Sequence, residues 1–444
     1  MFKMKTITLS LLALLLVMSF ASCASDTTSD LPLPSKDMKA YLQVKVTVEG
    51  SGDTRASRAA TEPKGGEEGD GRETGINHEN DVNSLTVLLY KSDKDDLSEA
   101  DATIDYVYTF TNLNKVTTSS GSDATYTTIP REIDASIVGK NYHVIVIANA
   151  DDMTSRCKGK ISEVRDLQMS KVCTRDADIT NFSNFIMSSK TDAMIDFTKE
   201  GSETDPYVVN VDIERLAARI DIIPNATYVD TDKGYYYNVM DGTNVVGGFK
   251  LESVTPTKVI TKGEYLIKRV SSNAAVSAVT YFGLETKDAA NKATNYVVCP
   301  WSKDRTGLTL SNAEGPTSLY NVQEVASTKS YILDYVMENT TTDNTEVNST
   351  GLIFKGKYYE ETEWNKTTKR PKATATGTDK KYTYTLRHSD PSGSGTTADP
   401  MHFGVVRNNI YQVKVDGVEG KSKGIKLTIH VVPWVHYDHG EVIY

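Results

Sequence analysis

Three arginines lie in a segment that a protease could reach. Arg55, Arg58 and Arg72 fall within residues 50–81, an acidic, Gly-rich stretch with no apolar period of helix or strand. Structureless segments longer than about 12–15 residues are uncommon inside compact domains and are usually functional or disordered. Proteases cut most readily in exposed, flexible chain. The chemistry that the segment predicts is hydrolysis after an arginine, and we interpret it as a processing loop.

A cysteine near the N-terminus is a candidate for lipidation. Two lysines precede an apolar run over residues 7–20, and Ala21 and Ser22 come directly before Cys23. This order is typical of an export signal over residues 1–22, and the run is shorter than the roughly 20 residues of a membrane helix. Placement after two small residues is similar to a bacterial lipobox, with Cys23 as the lipidated first residue, although ordinary signal cleavage stays open. Residues 23–39 are polar and Pro-bearing, which predicts a disordered tether.

The sequence contains no set of residues typical of an enzyme. There is no GxSxG, HExxH, Walker or dinucleotide motif and no CxxC pair. His430, His436 and His439 are close in sequence, but the first two stand roughly 20 Å apart on an extended strand. One metal ion could bridge them only if the chain folded back at Pro433. We expect packed or solvated histidines, no metal, no cofactor and no enzymatic activity.

The segment before the processing loop has a clear strand pattern. Over residues 40–49, Leu42, Val44, Val46 and Val48 alternate with polar or aromatic residues. This period of two is typical of a half-buried strand. We therefore predict that the first element of the fold is a strand with these four side chains in the core.

The rest of the chain predicts an all-β fold with two β-sandwich domains in tandem. Residues 82–90, 104–110 and 141–150 are rich in β-branched and aromatic residues, and a second series of such segments begins with a long strand over residues 207–223. Only the region around residues 155–170 suggests a short helix. We place the boundary near residue 205, which gives domains over residues 40–204 and 205–433.

Composition excludes some partners. The formal charge is −10, from 59 acidic against 49 basic residues, and binding to nucleic acid or anionic lipid surfaces requires a basic surface. Hydrophobic residues make up 39% of the chain and the mean hydropathy is −0.39, as in a soluble, somewhat polar fold. Cys157, Cys173 and Cys299 are an odd number, so they do not form a disulfide framework. Whether Cys157 and Cys173 pair stays open.

Taken in order, these segments resemble the fimbrillins of Bacteroidales, the subunits of type V pili. The resemblance is carried by the lipobox, the first strand, Thr54-Arg55-Ala56, NSLTVLLY, HVIVIANA, VDIERLAARIDI, YVMENT and RNNIYQVKV followed by VVPW. It covers nearly the whole chain and depends on order and spacing. It implies two transthyretin-like β-sandwich domains and a precursor held at the outer membrane through lipid on Cys23. It also implies a cut after Arg55 or Arg58 by an arginine-specific surface protease, which removes strand 40–49.

Loss of strand 40–49 would make the chain self-assembling. It would uncover the pockets of Leu42, Val44, Val46 and Val48, at about 1.5–3 kcal/mol of burial for each side chain. It would also leave a sheet edge that another strand can pair with. Donor and groove lie on different parts of the molecule, so copies join head to tail into an open polymer. The predicted function is a structural shaft subunit of a cell-surface fimbria, in contact with itself and with other fimbrial subunits.

The predicted donor is the C-terminal tail, residues 434–444. Pro433 cannot lie inside a central strand, so we expect it to mark where the chain leaves its own domain. Trp434, Tyr437 and Tyr444 are candidate anchors, because aromatic residues dominate interfaces. A last edge strand with a frayed terminus is the alternative for this tail.

Other functions stay open. A fimbrial anchor would keep its lipid and lack a cleavable loop, whereas a tip subunit would lack a donor tail or carry an added domain. A surface glycan-binding lipoprotein is the alternative from another class, and exposed aromatic platforms would favour it.

Overall fold

A computed structural model gives the fold of the described part of the chain. The described residues are 39–48, 73–74, 78–91, 102–116, 124–165, 167–175, 182–189, 193–198, 201–229, 234–259, 263–264, 268–270, 279–281, 308–309, 320–325, 328–340, 350–387, 404–420 and 424–435.

The fold is all-β with two β-sandwich domains in tandem, which confirms the predicted fold class. The N-terminal strands are β1 Ala40–Val48, β2 Glu73–Thr74, β3 Leu85–Tyr90, β4 Thr103–Phe110, β5 Leu113–Val116, β6 Ala124–Thr128, β7 Arg131–Ile133, β8 Asn141–Ala148, β9 Gly159–Lys160, β10 Gln168–Met169, β11 Thr174–Arg175, β12 Phe182–Ser183, β13 Met187–Ser189, β14 Ala193–Asp196 and β15 Tyr207–Arg215. The later strands are β16 Ala217–Ile223, β17 Tyr228–Val229, β18 Tyr235–Asp241, β19 Asn244–Thr257, β20 Gly263–Glu264, β21 Lys268–Val270, β22 Val279–Tyr281, β23 Leu308–Thr309, β24 Tyr320–Val325, β25 Thr328–Met337, β26 Asn339–Thr340, β27 Gly351–Glu360, β28 Trp364–Asn365, β29 Arg370–Pro371, β30 Thr378–Thr385, β31 Gly404–Val405, β32 Asn409–Glu419 and β33 Ile425–Val435.

Two short helical elements lie wholly within the described ranges. They are a 3-10 turn at Ala135–Ile137 and the helix α1 at Ile161–Arg165, which lies where the sequence suggested a short helix. Neither is long and apolar enough to cross a membrane.

The N-terminal sheet places β1 in its interior. The strands follow the order β5-β6-β1-β15-β13-β8-β3-β4-β9, with β14 added to β8 and β7 added to β1. β1 and β15 are neighbours in the sheet although they are far apart in sequence, since β1 opens the described chain and β15 ends the domain. This sheet therefore depends on its first strand for the continuity between β15 and β6.

The C-terminal sheet follows the order β24-β25-β16-β32-β18-β19-β27-β30. The last strand, β33, pairs antiparallel with β32 over nearly its whole length. The short β2, which comes from the predicted processing loop, pairs in parallel with the far end of β33.

The chain passes between the sheets at Leu216. The predicted long strand over residues 207–223 is two strands: β15 pairs with β1 and β13 in the first sheet, and β16 pairs with β25 and β32 in the second. The Leu216 backbone N–H donates to the Ile186 carbonyl at 2.9 Å, which holds the bend. The change of sheet thus falls between Arg215 and Ala217, beyond the predicted boundary near residue 205, because β15 completes the first sheet instead of opening the second.

The two domains share packed apolar surface. The N-terminal core contains β1, β3, β8 and β15, and the same cluster extends to Ile332, Tyr335 and Met337 on β25 and to Ile410 on β32. Phe182 and Phe185 pack edge-on against the Tyr335 ring, with centroid distances of 4.6 and 4.7 Å. The domain junction is therefore a buried contact between side chains of both sheets.

Candidate functional site

The first strand is paired on both of its sides. Residues Leu42–Val48 lie in parallel register with Tyr207–Ile213 of β15. On the other side, Lys45–Val48 pair antiparallel with β6 and Ala40–Leu42 pair antiparallel with β7. The sequence predicted that loss of this strand leaves one open edge. The structure instead places two ladders along it, so its loss would open a slot with an unpaired edge on each side.

The core-facing row of β1 is apolar and completely covered. Leu42, Val44, Val46 and Val48 are each 0% exposed, as is Ala40, while the alternate residues are half-buried. Burial of a Leu or Val side chain contributes about 1.5–3 kcal/mol, as an upper figure because unfolded chain also covers some of its surface. The four predicted pocket residues thus occupy core positions with the spacing that the pattern indicated.

Polar contacts between β1 and its surroundings are few and mostly involve β6. The backbone N–H of Val44 donates to the Thr128 hydroxyl at 2.9 Å, and Gln43 Nε2 donates to the Thr128 carbonyl at 3.0 Å. At the start of the strand, Lys39 Nζ lies 3.0 Å from a carboxylate oxygen of Glu132. That pair is exposed, and exposed ion pairs contribute little to stability. The strand is held by backbone bonds and apolar pockets.

The predicted processing loop begins and ends at the same corner of the molecule. Val48, the last residue of β1, lies opposite Ile213 of β15. The carbonyl of Glu79 accepts a hydrogen bond from Nε of Arg215, the residue at the end of β15, at 2.9 Å. The chain therefore leaves the first sheet and returns to it beside the domain junction. Arg55, Arg58 and Arg72 lie outside the described residues.

Residues at the end of that loop form a buried ionic cluster. We name it the Glu79 cluster, and its members are Glu79, Arg215, Arg219, Asp221, Tyr335 and Asn408. Arg219 Nη1 lies 3.2 and 3.3 Å from the two carboxylate oxygens of Glu79, and Tyr335 donates its hydroxyl hydrogen to the same carboxylate. Arg219 Nε and Nη2 donate to the Asp221 carboxylate at 3.0 and 2.8 Å. Arg215 Nη1 donates to Asn408 Oδ1 at 3.0 Å.

The charges in this cluster balance. Two carboxylates, Glu79 and Asp221, face two guanidinium groups, Arg215 and Arg219, and each of the four residues is at most 1% exposed. Burial lowers the pKa of Arg215 to about 10, which leaves it charged at neutral pH. Burial alone would also lower the pKa of Arg219, but Asp221 and Glu79 raise it above the ordinary value. Because buried charges are tolerated when paired, removing one partner would be strongly destabilising.

The predicted donor tail begins inside a strand. Pro433 lies opposite Asn409 in β33, and Trp434 and Val435 continue that strand and pair with Glu73 and Thr74. The expectation that Pro433 marks the exit from the domain is therefore wrong. The proline is tolerated because β33 has its only long ladder on the β32 side in the described chain, and edge strands accept proline. Tyr437 and Tyr444 lie outside the described residues.

The remaining predicted residues divide into three groups. Cys157 and Cys173 are free, buried thiols, so they do not pair with each other. His430 lies in β33 opposite Gln412, and no group of three potential metal ligands occurs among the residues that the structure describes. Cys23, Cys299, His436 and His439 lie outside the described residues.

Sequence reasoning missed the Glu79 cluster. Residues 78–81 belonged to the predicted processing loop, yet Glu79 and Asn80 are buried. A signal for the partners was present, because Arg215, Arg219 and Asp221 are the charged residues of the otherwise apolar segment 215–223, and charged residues in a buried strand need partners. No comparable signal marks Glu79, since acidic residues are common throughout the segment before it.

Comparison with known families finds a match for the N-terminal part of the chain. Residues 40–229 match the model of the family described as major fimbrial subunit protein (FimA). Among curated proteins no sequence matches the chain significantly.

Solved structures with a similar chain path include the tip fimbrial protein Mfa3 from Porphyromonas gingivalis with C-terminal truncation, at 13% identity and a TM-score of 0.36 over 89% of this chain and 100% of that one. A fimbrial assembly protein from Parabacteroides distasonis matches at 11% identity and a TM-score of 0.39 over 89% of this chain and 99% of that one. The match to the family model spans β1, the processing loop and β15. Residues 40–229, somewhat under half of the chain, are thus similar to the family of major fimbrial subunit proteins (FimA).

Proposed function

We propose that this chain is a shaft subunit of a cell-surface fimbria that is assembled by donor-strand exchange. It is exported as a lipoprotein precursor with lipid on Cys23 and is cut after Arg55 or Arg58 by an arginine-specific protease. The cut detaches β1, and a strand from a second copy takes its place. The family match supports the fimbrial role, and the position of β1 supports the assembly step.

One observation carries the proposal: the strand upstream of the processing loop lies in the interior of the sheet. β1 separates β15 from β6 and β7, and its five core-facing side chains are fully buried. A strand in this position is replaceable only by another strand of similar pattern, because both ladders and all pockets must be filled. An empty slot exposes apolar pockets and two rows of unpaired backbone groups.

The same geometry explains why the precursor stays monomeric. While β1 is connected, its effective concentration at its own slot exceeds that of any strand from another molecule. After the cut, β1 competes as a separate chain segment, and a donor from a neighbour can exchange with it. Main-chain hydrogen bonds then provide affinity and alternate pockets provide register.

The donor in this proposal is the tail, residues 434–444. Trp434 and Val435 are strand residues of β33, so donation requires that these two residues leave their own sheet or that the inserted part lies beyond them. Because slot and tail are different parts of one molecule, each subunit accepts at one end and donates at the other.

The described surface gives no support to the glycan-binding alternative. Sugar-binding platforms need exposed aromatic rings, whereas the largely exposed large apolar side chains of the described residues are Val, Ile and Met, and Tyr41, Tyr106 and Tyr108 are half-buried. Trp364 is 2% exposed and donates its indole N–H to Asn238 Oδ1 at 3.0 Å. Its ring is thus part of the structure of the second domain.

Limited proteolysis tests the proposal. Purified precursor treated with a limiting dose of an arginine-specific protease should yield a chain that starts at Ala56 or Ala59 and that elutes as polymer in size-exclusion chromatography. Arg55→Ala combined with Arg58→Ala should prevent both results, and adding Arg72→Ala excludes a cut at the third arginine. Arg156→Ala, at an exposed position of the same domain, is the control and should polymerise normally. A correctly cut chain that remains monomeric after β1 has dissociated would contradict the proposal.

A further inference from the structure

The two sides of the processing loop are attached to the molecule by different chemistry. Upstream, the core-facing residues of β1 are all apolar, so any strand with the same alternation can replace them. At the downstream end of the loop, Glu79 is held by two arginines and a tyrosine in a charge-balanced, buried site. A carboxylate in that site cannot be exchanged for an apolar residue without leaving a buried charge unpaired.

We infer that the Glu79 cluster is an interdomain lock, which fastens the last residues of the processing loop to both domains. The lock keeps the domains of the subunit joined whether or not β1 is in place. Its role in the cut subunit rests on the proposed function, whereas its role in the uncut chain does not.

The lock connects both sheets through one residue. Arg215 ends β15 of the first sheet and donates to the Glu79 carbonyl. Arg219 on β16 and Tyr335 on β25 belong to the second sheet, and both donate to the Glu79 carboxylate. Arg215 also reaches Asn408, directly before β32. Glu79 is therefore bound by its backbone to one domain and by its side chain to the other.

The residues that follow Glu79 are fixed in the first domain. Asn149 Nδ2 donates to the Asp81 carbonyl at 2.7 Å and to the Phe185 carbonyl at 2.9 Å. Asn149 Oδ1 accepts from the backbone N–H of Asn83 at 2.8 Å, and Val82 is buried in the core. Because these bonds hold residues 81–83 from several directions, the chain at Glu79 stays in place without help from the segment upstream.

Glu79→Gln tests the lock, because it removes the charge and keeps the shape. In the uncut precursor it leaves two buried guanidinium groups facing one carboxylate. We expect the calorimetric transition to split into two, with the lower one shifted down by about 10 °C, and limited proteolysis to cut near Leu216. The matched control is Glu361→Gln, which changes an exposed carboxylate paired with Lys366; it should leave one transition.

Two further variants keep the test decisive if Glu79→Gln does not fold. Tyr335→Phe removes only the hydroxyl that binds Glu79 and keeps the ring packed on Phe182 and Phe185, so it should split the transition less. Glu79→Gln combined with Arg215→Gln leaves the buried ion pair of Arg219 with Asp221 intact and restores the charge balance, so it should recover part of the lost stability. Unchanged transitions in both Glu79→Gln and Tyr335→Phe, or no recovery in the double variant, would overturn the lock.

A second experiment distinguishes failure of the lock from failure of the assembly mechanism. The wild-type precursor and Glu79→Gln, both without residues 436–444 so that the cut subunits stay monomeric, are cut with the arginine-specific protease and measured by small-angle X-ray scattering. A larger radius of gyration for the cut variant alone is the expected result, and equal radii would contradict the role in the cut subunit. If the uncut variant shows split transitions while the cut full-length wild type does not polymerise, the lock stands and the proposed function fails.

Discussion

At the scale of single residues, the same neighbourhood contains two opposite uses of burial. Burial of the Leu and Val side chains of β1 stabilises the fold because these side chains leave water, and any apolar residue of similar size would stabilise it nearly as well. The Arg219 and Glu79 side chains lose hydration on burial, and their contacts with each other, with Asp221 and with Tyr335 replace it. We expect substitutions on β1 to change affinity for the slot gradually, and substitutions in the Glu79 cluster to disrupt the junction abruptly.

Cys157 gives a residue-scale prediction. It is 0% exposed, and burial raises the pKa of its thiol to about 12. The thiolate is the reactive form, and a thiol pKa of about 12 instead of the ordinary value near 9.0 makes the thiolate fraction at pH 8 roughly a thousandfold smaller. Native protein should therefore resist alkylation by iodoacetamide at pH 8, and urea-unfolded protein should react fast. Peptide mass spectrometry distinguishes Cys157 from the other cysteines, and native labelling at the unfolded rate would contradict the buried position.

The pH dependence of stability at this thiol follows from the same shift. Because the folded-state pKa is raised, folding favours the protonated thiol, and this contribution is complete below about pH 9. It is lost as the pH rises from about 9 toward 12, where the unfolded chain ionises first.

At the scale of elements, we predict that a free peptide inhibits polymer formation by occupying the slot that β1 leaves. A synthetic peptide with the sequence of residues 40–48 should occupy the slot of cut subunits, because it provides the same ladders and the same four Leu and Val side chains as β1. Excess peptide should reduce polymer yield in a dose-dependent way, measured by light scattering. The control peptide carries Val44→Asp and Val46→Asp, which place charges in apolar pockets. Equal inhibition by both peptides, or by neither, would show that the slot is not the assembly site.

Element by element, the sequence predicted where strands form better than it predicted which strands pair with each other. The segment 141–150 is strand β8, Asn141–Ala148, and 104–110 is β4, Thr103–Phe110, because alternation and β-branching are local signals. That β1 lies between β15 and β6 was not predictable, since the pattern indicates which face is buried but not which strands lie alongside. The position of Glu79 had no local signal, because its partners lie on β15, β16 and β25.

At the scale of the whole molecule, slot and tail belong to different domains. The slot lies in the N-terminal sheet, and β33, which leads to the tail, lies in the C-terminal sheet. A shaft built head to tail would thus transmit tension through every domain junction, where the Glu79 cluster and the contact of Tyr335 with Phe182 and Phe185 connect the two sheets. The junction and the donor contact would act in series along the filament.

We predict that a subunit without its C-terminal tail terminates filament growth. A subunit that lacks residues 436–444 keeps β33 complete, and we expect it to fold, to be cut and to remain monomeric because it has a slot but no donor. Mixed with intact cut subunits, it should accept one donor and donate to none, so mean filament length in electron micrographs should fall as its fraction rises. A longer deletion, residues 434–444, removes the two strand residues that pair with β2 and should act in the same way. The full-length Arg156→Ala subunit is the control and should leave filament length unchanged. Normal filaments from either tail-less subunit alone would remove the tail from the mechanism and leave β33 itself as the segment to test.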